Sequence, residues 1–194
     1  MSVTERDIVS IRLTSDGHSF LEQDALSRIS DARCVEVLMT TAKVALVPAS
    51  HLCSTDPQSH LAQVGITATE QERVLLSKEY NGRVAVMLIS AALYDNIYPY
   101  IHKLSFTSPL LEGDMPERGV EVSLYGKTLF VRVTDGGLRF AEAVSIASDA
   151  DILYYVEAVS RVYAIYNNMY ARVKGDTDRL YKLLKTQFRK LVCE

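Results

Sequence analysis

Three extended runs follow one another with almost nothing between them. Residues 120–124 read Val-Glu-Val-Ser-Leu, residues 128–133 read Thr-Leu-Phe-Val-Arg-Val, and residues 138–144 read Leu-Arg-Phe-Ala-Glu-Ala-Val. They are rich in β-branched and aromatic side chains and alternate in polarity, which is a strand pattern. Parallel neighbours need a crossover of a dozen or more residues. The gaps here are Tyr125-Gly126-Lys127 and Thr134-Asp135-Gly136-Gly137, so the three strands must form an antiparallel meander. Ser148-Asp149-Ala150-Asp151 then spells a capping box. The helix it opens places Ile152, Tyr155, Val156, Val159, Val162, Tyr163 and Tyr166 on one face, with Asn167-Asn168 as its stop. A strand over 169–173, a turn at Gly175 and a last helix capped by Asp176 or Thr177 complete the series. That helix is expected to bury Leu180, Leu183, Leu184, Phe188 and Leu191. The order is βββαβα. It predicts an α/β fold and excludes a doubly wound sheet, in which strands alternate with helices.

The opening half repeats this order less regularly. Strands are expected at 7–13, 18–23, 35–39, 43–47 and 103–106, with extended runs at 73–79 and 83–89 around the turn Tyr80-Asn81-Gly82. One helix follows Asp56-Pro57 and stops at Gly65, and another runs from a Ser90 cap to Pro99. The stretch richest in breakers, Glu112-Gly113-Asp114-Met115-Pro116, marks a boundary between halves at 1–116 and 117–194.

Composition narrows the function. A net charge of −3 over 194 residues gives no general attraction to nucleic acid or to an anionic membrane. The longest nearly apolar stretch, residues 84–93, is too short to span a bilayer. The first seven residues are polar, without a hydrophobic signal region. Cys34, Cys53 and Cys193 are odd in number and widely spaced, which points to free thiols and a cytoplasmic location.

Gly126-Lys127-Thr128 looks like the tail of a phosphate-binding Walker A loop. Such a loop has a glycine five residues earlier and runs from a strand into a helix. Here Glu121 stands at that position and a strand follows, so Gly126-Lys127 is a hairpin turn. His51, Cys53 and His60 suggest zinc, but a structural site needs four ligands in tight pairs, and Cys34 and Cys193 are far away. Asp16, Asp135, Asp149, Asp151 and Asp176 sit at turn and cap positions, where Asp has a structural role. Glu121 is the acid on a central strand and the weak candidate for a metal site there. Arg179, Lys182, Lys185, Arg189 and Lys190 form a basic stripe on the last helix. Without interleaved aromatics, a solvated face accounts for it better than nucleic-acid binding does.

Three segments together resemble a known family: "SIRLTSDGHSF" from Ser10, "KVALVPASHL" from Lys43, and "DGGLRFAEAVSIASDADILYYVEAV" from Asp135. The family is one of bacterial domains of unknown function that looks like a degenerate branch of the actin-like ATPases, near the actin-like subunits of type IV pilus and type II secretion platforms. The resemblance implies an actin-like fold of two ribonuclease-H-like βββαβα halves with a cleft between them, which in active members holds ATP and Mg²⁺. It would bring a nucleotide to Asp16 and Gly17 in the first half, to Gly126 and Lys127 in the second, and to Gly175 on the adenosine side. The match to the superfamily's Asp-x-Gly-Thr loops is poor. Asp16 and Gly17 are adjacent and followed by His18, the second-half hairpin has no Asp, and Gly175 stands alone. This argues against hydrolysis and for a chain with no resident cofactor, ATP being the one ligand the resemblance brings.

The helix beginning at Asp149 carries a second stripe. Steps of 100° bring Tyr154, Ala158, Arg161 and Ile165 together, nearly opposite Ile152. Such a stripe packs against the first half of the chain or against another protein. The expected function is that of a non-catalytic interaction or scaffold module whose partner is another protein.

Overall fold

In the computed structural model, residues 8–14, 29–114 and 117–194 are described. The return strand expected at 18–23 and the candidate residues Asp16 and Gly17 lie outside them. The chain divides into two compact units, 1–112 and 113–194. Among the described residues no helix is long and apolar enough to cross a membrane.

Unit 1 runs β1 (Ile8–Thr14), β2 (Cys34–Thr40), β3 (Val44–Pro48), α1 (Gln58–Gln63), β4 (Glu72–Leu76), β5 (Arg83–Ser90), α2 (Ala91–Ile97), a 3-10 turn (Tyr98–Lys103) and β6 (Leu104–Thr107). Its described strands form two three-stranded sheets. One is parallel in the order β1-β2-β6, and the other is antiparallel in the order β3-β5-β4. The chain changes sheet within two residues. Thr40 Oγ1 donates to the Leu13 carbonyl of the first sheet, and Thr41 Oγ1 to the Leu88 carbonyl of the second, both at 3.1 Å. Six consecutive residues of β5, Val84 to Ile89, are buried, as befits a central strand covered on both faces. The β4–β5 hairpin turns on Asn81 and Gly82, with φ of 49° and 72°, the left-handed pair that a tight hairpin demands. Ser90 caps α2 by accepting from Leu93 N, as the sequence indicates. At the end of α1, Gly65 adopts φ 79° and Ile66 N donates to Leu61 O, a Schellman stop. Leu61, fully buried, seats this helix on Ala45, Val47, Val86 and Leu88.

Unit 2 follows the βββαβα order and adds a strand: β7 (Arg118–Tyr125), β8 (Thr128–Asp135), β9 (Leu138–Ser145), α3 (Asp149–Val162), β10 (Tyr170–Gly175), α4 (Thr177–Leu184) and β11 (Lys190–Cys193). The sheet order is β11-β10-β7-β8-β9. β7, β8 and β9 are antiparallel, and β10 is parallel to both its neighbours. Val120, Val122 and Leu124 of β7 and Leu129, Val131 and Val133 of β8 face the helices, where Ile152, Val156, Leu180, Leu184 and Phe188 meet them. The capping box at Ser148 and Asp151 is formed.

Two helices end earlier than their periodicity predicts. α4 stops at Leu184, so Phe188 and Leu191 reach the core from a turn and from β11. That strand pairs with β10 from Tyr170 to Val173 and satisfies backbone groups a continued helix would leave open. Lys185, Arg189 and Lys190 are therefore off the helix, and the expected basic stripe does not exist as one face. α3 stops at Val162, not at Asn167. Ala164 takes φ 50° and Ile165 N donates to Ser160 O, again a Schellman stop, here with alanine in the place glycine usually holds. Val162 and Tyr166, expected in the core face, are exposed.

Candidate functional site

The hairpin end of unit 2 gathers the described members of the expected nucleotide set. β7 and β8 pair through Tyr125 and Thr128, leaving Gly126 and Lys127 as a two-residue turn. Gly126 has φ 60°, and no atom lies within 4 Å of where a Cβ would stand. Lys127 is exposed, and its carbonyl accepts from Ile146 N at 2.8 Å. Gly175 pairs with Leu124 across the β7–β10 ladder, so it comes to the same end of the sheet. It differs in kind from Gly126. A Cβ on Gly175 would overlap the Leu124 carbonyl oxygen and press on the Tyr125 ring. The next residue, Asp176, donates its N–H to that carbonyl at 2.9 Å and caps α4 by accepting from Arg179 N at 3.3 Å. The glycine thus lets the turn lie flat on β7.

Among the described residues no carboxylate at this end is placed to hold a metal. Asp176 caps a helix, Asp149 pairs with Arg179 at 2.6 Å, and Asp135 pairs with Arg118 at the opposite end of the sheet. Asp151 accepts from Ala147 N and Ser148 N at 2.8 Å, and these bonds hold its carboxyl below the ordinary value. Among the described residues no group of three or more His, Cys, Asp or Glu side chains could hold a metal ion.

Glu121, the strand-borne acid, is 1% exposed and engaged from three sides. Arg132 of β8 forks onto its Oε1, with Nε at 3.0 Å, while Arg172 and Lys174 of β10 approach Oε2 at 3.5 and 3.4 Å. Arg172 and Lys174 also reach Glu194, at 3.2 and 3.7 Å. A buried carboxylate persists only when paired. This cluster occupies the sheet face away from the helices, and strand alternation held the clue: 121, 132, 172 and 174 all fall on the parity opposite to the apolar core residues.

The remaining candidates have structural roles or are separated. His60 Nε2 accepts from Cys53 N at 3.0 Å, and the Cys53 thiol sits 3.4 Å from the Thr55 hydroxyl, whose hydrogen bond lowers its pKa. On α3, Tyr154 is 76% exposed, Ala158 is half-buried, and Arg161 pairs with Glu157 one turn away. Ile165 lies beyond the helix and packs on the unit 2 core, so the expected stripe of four is a stripe of three. On the neighbouring face Tyr155 donates to Glu142 of β9. Burial and that carboxylate push the phenol well above its usual range.

Comparison with solved structures identifies the fold. The chain is similar to a Bacteroides thetaiotaomicron protein with an actin-like ATPase fold and unknown function, at a TM-score of 0.72 and 14% identity, over 100% of this chain and 94% of that one. It is also similar to the cytoplasmic domain of EpsL, an inner membrane component of the type II secretion system of Vibrio cholerae, at a TM-score of 0.45 and 16% identity, over 86% and 81% of the two chains. No protein-family model and no curated protein matches the sequence. The chain therefore has an actin-like ATPase fold, as its resemblance to that superfamily implies.

Proposed function

We propose that this protein is a non-catalytic interaction module, an actin-like fold that has lost its phosphate chemistry. One observation carries the reading. The hairpin at Gly126 and Lys127 has no carboxylate, and the acid on the strand leading to it, Glu121, is buried under Arg132, Arg172 and Lys174. Phosphoryl transfer relies on metal ions held by carboxylates against the phosphates. The contact surface is the outer side of α3, where Tyr154 and Arg161 stand exposed, and the partner is another protein. Tyr and Arg are favoured anchors of such surfaces. Three free cysteines agree with a cytoplasmic setting.

Titration calorimetry with ATP and Mg²⁺ tests the loss of phosphate chemistry. No heat of binding is expected, and micromolar binding that disappears in Asp16→Ala would overturn the proposal. For the surface, Tyr154→Glu is expected to melt like the parent chain, because the side chain is already in water, while association with the partner is lost. A variant unchanged in both respects removes α3 from the interface.

A further inference from the structure

Among the described residues β3 is the edge of its three-stranded sheet, and its backbone groups have a definite direction. Leu88 N donates to Lys43 O, and Ala49 N donates to Gly82 O. Both pairs obey the β3–β5 register, in which Val44 faces Met87 and Pro48 faces Arg83. In an antiparallel ladder bonded and non-bonded pairs alternate. Lys43, Ala45, Val47 and Ala49 therefore turn their backbone groups to β5, and Val44, Leu46 and Pro48 turn theirs outward. Ala85, opposite Leu46, corroborates this. Its N–H and its carbonyl are both taken by Ser77 on the other side, at 2.8 and 2.9 Å. Among the described residues the outward N–H and carbonyl of Leu46 form no hydrogen bond.

A cavity of about 260 Å³ lies at the far end of the unit 2 sheet, and another, of about 350 Å³, runs along this edge. Its strand wall is Ala45 to Pro48, four consecutive residues, so the cavity follows the strand's edge and not one of its faces. Its other wall is the end of α1, with His60, Gln63 and the 60%-exposed Val64 at helical spacing. Leu61, between them, is the buried residue that anchors α1 to the sheet.

We infer that this groove is a docking site for an extended segment of a partner protein, added to the sheet as a strand beside β3. The occupant follows from the chemistry of the wall. Leu46 presents an outward N–H and carbonyl, and Pro48, about 6.6 Å further along the strand, adds a carbonyl. A polypeptide in extended conformation supplies matching acceptors and donors at that repeat. Leu46, Val64, Gln63 and two histidines line the space without a carboxylate or a fixed cation. The segment is therefore short, uncharged where it meets the groove, and apolar at alternate positions. The inference goes beyond the α3 surface and stands apart from it, since all its residues belong to unit 1.

The test uses the full chain. Hydrogen exchange by NMR is expected to show the Leu46 amide exchanging at least about tenfold faster than those of Ala45 and Val47. A displayed library of random heptapeptides is then selected against the chain. Enriched peptides are expected to slow exchange at Leu46 and to bind Leu46→Pro at least about tenfold more weakly, the loss of one donor and its neighbour's fit. Leu46→Pro removes the outward N–H together with the leucine side chain and takes no donor from the β5 ladder. If it misfolds, Val64→Glu on the exposed rim gives the same reading. Enriched peptides must also bind Tyr154→Glu normally, which separates this site from the α3 surface. No enrichment, or peptides that bind both groove variants unchanged, would overturn the inference. So would concentration-dependent dimerisation abolished by Leu46→Pro, which makes a second copy the occupant.

Discussion

The hairpin end of unit 2 and the β3 edge of unit 1 are opposites in how they treat their polar groups. At the hairpin end and along the strand that leads to it, the polar groups already have partners in the chain: Glu121 its three cations, Asp176 its helix, the Lys127 carbonyl the Ile146 amide. Along β3 a backbone donor and acceptor at Leu46 face an open groove. Fold likeness directs attention to the first region, whereas hydrogen-bond accounting directs it to the second. A buried polar group without a partner costs free energy, so a chain leaves such groups open where water or another molecule takes them up.

Four changes test how closed the hairpin end is. The largest effect is expected from Glu121→Ala, which takes from Arg132, Arg172 and Lys174 the buried carboxylate they share and leaves Glu194 to the last two. A loss of about 3–5 kcal/mol in denaturant unfolding is expected, and a loss below about 1 kcal/mol would mean that water, and hence ligands, reach this face. Gly175→Ala comes next, at about 2–4 kcal/mol, because a Cβ there meets the Leu124 carbonyl as well as a left-handed φ. Gly126→Ala, with the same handedness and open space, is expected to cost about 1 kcal/mol. Equal losses at the two glycines would erase the distinction between a packed turn and a free one. The smallest effect concerns pH. The Asp151 carboxyl is held below its ordinary value of 3.8 by the Ala147 and Ser148 amides. Its contribution is therefore complete above that value and lost as pH falls through the lower folded one. Asp151→Asn should flatten that part of the acid limb in melting curves between about pH 2 and 5. An unchanged limb would show that the cap is not what this acid serves.

The meander, the capping box, the Asn81-Gly82 turn and the Ser90 cap were legible in the sequence because each is a local rule with a local signal. The ends of α3 and α4 were not. Phe188 and Leu191 continue the helical spacing of Leu180 and Leu184, yet they reach the same core from a turn and a strand. A spacing of three to four residues marks which side chains are buried and not how the backbone gets there. The open edge of β10 decided the matter, and that edge exists only after the sheet has formed. Ala164 hid the end of α3 because the left-handed stop is usually glycine. At the candidate site the turn nature of Gly126-Lys127 and the capping role of Asp176 were readable. The role of Glu121 was not, because Arg132 is eleven residues away and Arg172 and Lys174 lie on a strand paired from far along the chain.

The parallel pairing of β7 with β10 has a consequence for time. β7, β8 and β9 close across turns of a few residues, whereas Val120 and Ala171 are partners about fifty residues apart, and long closures come late. Glu121 therefore meets Arg132 while β10 is still unplaced, and Arg172 and Lys174 arrive afterwards. In stopped-flow kinetics, Arg132→Met is expected to slow refolding, while Arg172→Met and Lys174→Met leave refolding nearly untouched and hasten unfolding. One buried carboxylate thus carries a record of the order in which the unit 2 sheet is assembled.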